Sequence, residues 1–177
     1  MRPYFLLFPV LLLLSVQAAD IRVDDPVGNL TGDAKRGYLD ITGIIVRQET
    51  DSLIVRIEVG QPFPEPSTLL GTGMQFVFRF LGEDEEAPPG FACDLELGDR
   101  GWSIHHSGKD NEPLPIDFSV NPTTVNLEFP LSLLGDASRL EIVADTANHP
   151  KWKPPTANPA IMVDLPPPPI SPETAIQ

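Results

Sequence analysis

The feature that most constrains this chain is a period of two. Leu53, Val55, Ile57 and Val59 alternate with Ile54, Arg56 and Glu58. Met74, Phe76, Phe78 and Phe80 alternate with Gln75, Val77 and Arg79. Phe91, Cys93, Leu95 and Leu97 alternate with Ala92, Asp94 and Glu96. Val125, Leu127 and Phe129 do the same late in the chain, followed by Leu140, Ile142 and Ala144. Successive side chains of a strand point to opposite faces, so each apolar set lies on one face. A half-buried antiparallel sheet shows this pattern. Further strands are expected at Ile41–Gln48, Trp102–His106 and Ile116–Val120.

The breaks between runs carry turn chemistry. Thr50-Asp51-Ser52 is a hairpin signal. Pro62, Pro64 and Pro66 make the stretch from Gly60 to Gly73 a loop, and Glu83 to Gly90 is an acidic loop. Asn121-Pro122 opens another turn. Leu131–Leu134, closed by Gly135, is the one helical candidate. The expected fold is all-β: an antiparallel β-sandwich, jelly-roll-like, of about eight strands.

Two flanking segments do not belong to that pattern. Arg2 precedes an apolar stretch from Tyr4 to Val16, then Gln17, Ala18 and Ala19 lead into Asp20. This is the layout of a secretory signal peptide over residues 1–19. Cleavage after Ala18 places Val16 and Ala18 at the two recognition positions; cleavage after Ala19 places Gln17 and Ala19 there, which fits less well. The competing reading is an uncleaved anchor, but the stretch is short beside the roughly 20 residues of a membrane span. No later segment is long and apolar enough to span a bilayer, so the mature chain is expected to be secreted or periplasmic. At the other end, nine of the 21 prolines fall between His149 and Gln177. Proline lacks the N–H a central strand needs, so 149–177 is expected to be a disordered, Pro-rich tail. Within it Ile161, Met162 and Val163 could dock as one edge strand. The sandwich domain then spans 20–148.

Composition removes several function classes. With 25 acidic and 12 basic residues the chain carries a formal charge of −13. Nucleic acid is therefore not an expected partner, because phosphate binding needs a basic footprint. The single cysteine, Cys93, rules out a disulfide framework within the monomer and any Cys-based zinc cluster. It shares a face with Phe91 and Leu95 and reads as a small buried hydrophobe. No Gly-x-Ser-x-Gly elbow, His-Glu-x-x-His or phosphate-binding Gly loop is present. No enzymatic activity is expected.

Several short motifs occur in a fixed order: Asp25-Pro26-x-Gly28, Tyr38-Leu39-Asp40-Ile41, Asp51-Ser52-Leu53-Ile54-Val55-Arg56-Ile57, and Val125-Asn126-Leu127-Glu128-Phe129-Pro130-Leu131-Ser132-Leu133-Leu134-Gly135. Over Asp24 to about Asp145 the chain resembles secreted β-sandwich domains similar to family 9 carbohydrate-binding modules and DOMON-type domains. The resemblance implies binding of a sugar, haem or other small ligand, often with a structural calcium. The chain departs from that pattern after Met74–Phe80, where Gly82-Glu83-Asp84-Glu85-Glu86 stands in place of an Asp-x-Asp pair.

Candidate sites follow. Asp24, Asp25, Asn29, Asp33 and Asp40 could supply oxygens to a calcium ion, a hard cation. The bland alternative is turn chemistry, since Asp and Asn bond their own backbone. Glu83–Glu86 is a weaker metal candidate and reads equally as a solvated acidic loop. Trp102 and Trp152 are the candidate ligand-binding residues, because flat aromatic rings suit the C–H face of a pyranose. Trp102 shares its face with Ile104 and His106, which also describes a core position; Trp152 could instead pin the tail. His105 and His106 are adjacent and should point to opposite faces, so they are poorly placed to chelate one metal. The reading is a secreted, non-catalytic binding module with carbohydrate as the ligand class. The alternative is a structural or protein-interaction domain of the envelope with no small-molecule ligand. The partners expected are a polysaccharide or an envelope protein.

Overall fold

The computed structural model describes residues 20–28, 36–68, 73–84, 90–106, 113–145 and 159–167. Over these residues the chain is an all-β sandwich of two antiparallel five-stranded sheets. The strands are β1 (Ile21–Asp24), β2 (Ile41–Gln48), β3 (Ser52–Val59), β4 (Met74–Leu81), β5 (Phe91–Gly98), β6 (Gly101–His106), β7 (Asp117–Asn121), β8 (Thr124–Pro130), β9 (Arg139–Asp145) and β10 (Ile161–Asp164), with a one-turn helix, α1 (Leu131–Leu134), between β8 and β9. The first sheet, A, runs β1-β2-β3-β8-β7 and the second, B, runs β10-β9-β4-β5-β6. Consecutive strands stay within one sheet for β1 to β3 and again for β4 to β6. Three connections, β3 to β4, β6 to β7 and β8 to β9, pass between sheets. A jelly-roll-like winding is not what this order establishes.

The alternating sets pack as their period requires. Phe76, Phe78 and Phe80 of β4 are fully buried, as are Val55 and Ile57 of β3 and Leu95 and Leu97 of β5. The two inner faces meet through aromatic rings. Phe129 of β8 lies 5.0 Å from Phe80 and 5.6 Å from Phe78, ring centre to ring centre. One apolar core therefore ties the sheets together. Cys93 is part of it, and burial pushes its thiol well above the ordinary range, which leaves it inert.

β2 breaks the period, with a physical cause. Ile41 and Ile44 are both fully buried although three residues apart. The pairing jumps from Ile41↔Val59 to Gly43↔Glu58, so Thr42 is an extra residue in the strand. Such a bulge resets which side chains face inward. The Thr42 carbonyl accepts the Asp25 N–H at 3.2 Å, fastening the segment after β1 to the bulge.

Two strands lie outside the eight expected. β10 forms one edge of sheet B against β9, inside the stretch 149–177, where the apolar Ile161 and Val163 are buried. β1 stands ahead of the first strand expected from the sequence: Ile21–Asp24 pair with Val46 to Gly43 of β2. Its alternation, Ile21 and Val23 against Arg22 and Asp24, is real but only four residues long. The one-turn helix ends, as expected, at Gly135, whose φ of +59° suits a residue without a Cβ.

Candidate functional site

Among the described residues, those nominated from the sequence do not gather into one site. Trp102 sits in the edge strand β6 opposite Leu97. Its ring stacks on Phe76 at 6.4 Å and 9°, and meets Phe63 edge-on at 5.1 Å. It is half-buried, a rim residue of the core rather than a flat platform. Trp152 lies outside the described residues. His105 and His106 point to opposite faces, as adjacent strand residues must. His106 meets the Phe91 ring edge-on at 5.5 Å, while the His105 Nε2 lies 2.9 Å from Ser103 Oγ on the outside.

The N-terminal acids divide by role. Asp24 is exposed and paired with Arg22 at 2.7 Å. Asp25 is anchored through its backbone N–H at the Thr42 bulge. Asp40 is only 4% exposed. Its Oδ2 accepts the Gly28 N–H at 2.8 Å, which staples the turn after β1 onto the sandwich. Its Oδ1 is buried with no hydrogen-bond partner. Asn29 and Asp33 lie outside the described residues, as do Glu85 and Glu86. Among the described residues no three His, Cys, Asp or Glu side chains gather in a metal-holding group.

The outer face of sheet B carries a polar array that the sequence did not single out. The register lines up Asp145, Gln75, Glu96 and Ser103 across β9, β4, β5 and β6. The neighbouring row is Val143, Val77, Asp94 and His105. All except Val77 are half-buried, and Val77 is buried at 7% exposure. Burial raises the pKa of Asp145 above the carboxylate range; a hydrogen bond from Gln75 opposes this, and the Asp94 charge adds to it. Asp145 Oδ1 is buried and, like that of Asp40, has no hydrogen-bond partner. Buried polar atoms are nearly always paired, so each such oxygen is a place where a donor is wanted.

This array can accept hydrogen bonds from hydroxyl groups and offers one His–Ser pair that can both donate and accept. Four strands hold it rigidly, which is how a binding surface keeps its geometry without a deep cleft. A second feature is a pocket of about 250 Å³ at one end of the sandwich, lined by Leu53, Leu131, Leu134, Ala137, Leu165 and Gln48 among others. Its lining side chains are apolar apart from Gln48, and none of them is titratable. No family model matches the chain, and no curated protein matches it.

Proposed function

We propose that the chain is a secreted, non-catalytic binding module that holds a polyhydroxylated ligand, carbohydrate, on the outer face of sheet B. The observation that carries this reading is the buried Oδ1 of Asp145, an acceptor lacking a donor inside a row of half-buried polar side chains. A sugar presents O–H donors at short, regular spacing, and hydrogen bonds to a charged acceptor are the stronger kind. The aromatic platform expected from Trp102 is not part of the reading, because that ring packs on Phe76 and Phe63. Secretion rests on the leader pattern of residues 1–19.

A glycan array probed with the purified chain tests the ligand class. Binding to at least one glycan, lost in Gln75→Ala and in Ser103→Ala, is expected. Absence of binding to every glycan would remove carbohydrate and leave the envelope interaction domain as the better reading.

A structural calcium at the N-terminal loop is a separate part of the proposal, supported by the free Oδ1 of the buried Asp40. Calcium takes about six to eight oxygens, so Asp40 would be one ligand among several. A melting curve that does not move between excess calcium and excess chelator would dispose of it.

A further inference from the structure

We infer that tail residues 168–170 close the apolar pocket at the end of the sandwich, with Pro169 seated against Leu53. The pocket, of about 250 Å³, has a wall from each sheet. Gln48 and Leu53, at the facing ends of β2 and β3, form one side with Leu131 of α1. The Leu131 N–H donates to the Asp51 carbonyl at 3.0 Å, which ties α1 to the turn between those strands. Ala137, Leu165 and Pro166 form the other side. It is fastened to sheet B: the Ser138 N–H donates to the Leu81 carbonyl at 2.9 Å, and the Leu165 N–H to the Ser138 carbonyl at 2.8 Å.

The described chain leaves the sandwich along this second wall. β10 ends at Asp164, Leu165 and Pro166 line the pocket half-buried, and Pro167 is exposed. The sequence continues with Pro168, Pro169 and Ile170. A run of prolines favours the polyproline II helix, with three residues per turn and a rise of about 3.1 Å per residue. Continued from Pro166 in that form, the chain brings Pro169 back to the edge that Pro166 presents to the pocket. Pro168 then lies on an outward edge. The three steps from Pro166 to Pro169 span about 9 Å, close to the roughly 10 Å between packed sheets. Pro169 therefore arrives at the wall formed by Leu53 and Gln48.

The chemistry of the segment matches that of the pocket. After Asp164 the next charge along the chain is Glu173, beyond the contact. An uncharged segment thus meets a pocket whose side chains are apolar apart from Gln48. Proline has no N–H, so prolines laid over apolar side chains bury no unpaired backbone donor. The Gln48 amide can donate to a carbonyl of the segment. Pro-rich segments suit such grooves because the extended form is already the preferred one, and little entropy is lost on docking. Attachment at Leu165 makes the docking intramolecular, at an effective concentration of roughly millimolar, so a weak contact suffices.

Nuclear magnetic resonance of the full chain is the test. Nuclear Overhauser contacts between the Pro169 ring and the Leu53 methyl groups are expected, unchanged on dilution. Pro169→Asp should abolish the contacts of this position and lower the melting temperature by about 3 °C, the effect of exposing one small apolar group in a chain of this size. Pro168→Asp loses a proline and gains a charge in the same way, but on the outward edge. It should keep the Pro169 contacts and melt within about 1 °C of wild type. Absence of contacts between Pro169 and Leu53, or equal melting shifts for the two variants, overturns the inference. Contacts that appear only between differently labelled chains in a mixed sample would put the tail of a second copy in the pocket, and overturn it as well.

Discussion

The outer faces of the two sheets use the same residue types to opposite ends. On sheet A each arginine has an acid. Arg22 reaches Asp24 at 2.7 Å and Glu58 at 3.2 Å, Arg56 reaches Glu58 at 3.3 Å, and Arg47 holds both oxygens of Asp20 at 2.6 and 2.9 Å. Arg47 lowers the pKa of Asp20 below the carboxylate range. On sheet B the Arg79–Glu141 pair at 2.7 Å stands to one side, and Asp94, Glu96 and Asp145 share two neighbouring rows. There Asp145 is pushed the other way, up, by burial and by the Asp94 charge. A face whose charges are internally neutralised has little left for a ligand. A face that keeps an unmet acceptor half-buried is held in tension that a ligand can relieve.

The largest test of this contrast puts the same new acid on each face. Val77 lies between Val143 and Asp94, while Ile45 lies between Arg22 and Arg56. Val77→Asp buries a charge beside an existing one and should cost about 3 kcal/mol of stability. Ile45→Asp places its carboxylate between two arginines and should cost about 1 kcal/mol or less. Urea denaturation of the two variants measures both. Equal losses would show that the surrounding charges do not distinguish the faces.

A smaller test uses pH. The Asp145 pKa is raised in the folded state, so that state holds its proton more tightly than the unfolded chain does. The associated stability is present below the ordinary carboxylate value and is lost as pH rises through the folded value. Asp20 behaves oppositely: its stabilisation is present above the ordinary value and is lost as pH falls through the lowered one. Asp145→Asn should therefore gain in melting temperature relative to wild type as pH rises from about 4 to about 7. Asp20→Asn should fall behind wild type on the acid side instead, as pH rises toward the ordinary carboxylate value of about 4, with a constant gap above it. Two curves that move in the same direction would break the contrast.

The fold was legible where one strand speaks for itself. Phe76, Phe78 and Phe80 announce an inward face by spacing alone, and Gly135 announces the end of a helical turn. β1 was not legible, because Ile21 and Val23 give only two apolar positions close behind the apolar run Tyr4 to Val16. The candidate site was not legible for a different reason. Asp145, Gln75, Glu96 and Ser103 become neighbours only through the order β9-β4-β5-β6, which period two cannot supply. The Trp102 nomination followed residue type, whereas its inward direction was already set by sharing a face with Ile104.

The smallest test separates the faces by salt. The sheet A pairs are exposed, so their attraction is screened once the Debye length falls to about 3 Å near 1 M salt. Arg47→Ala should lower the melting temperature slightly at low salt and leave it unchanged at about 1 M. Gln75→Ala on sheet B removes a hydrogen bond to a half-buried carboxylate, which mobile ions reach poorly. Its loss in melting temperature should persist at both salt concentrations. Thermal unfolding of the two variants at low and high sodium chloride reads the difference directly. If the Gln75→Ala loss also vanished in salt, Asp145 would be as open to solvent as Asp20, and the outer face of sheet B would have no buried acceptor for a ligand to satisfy.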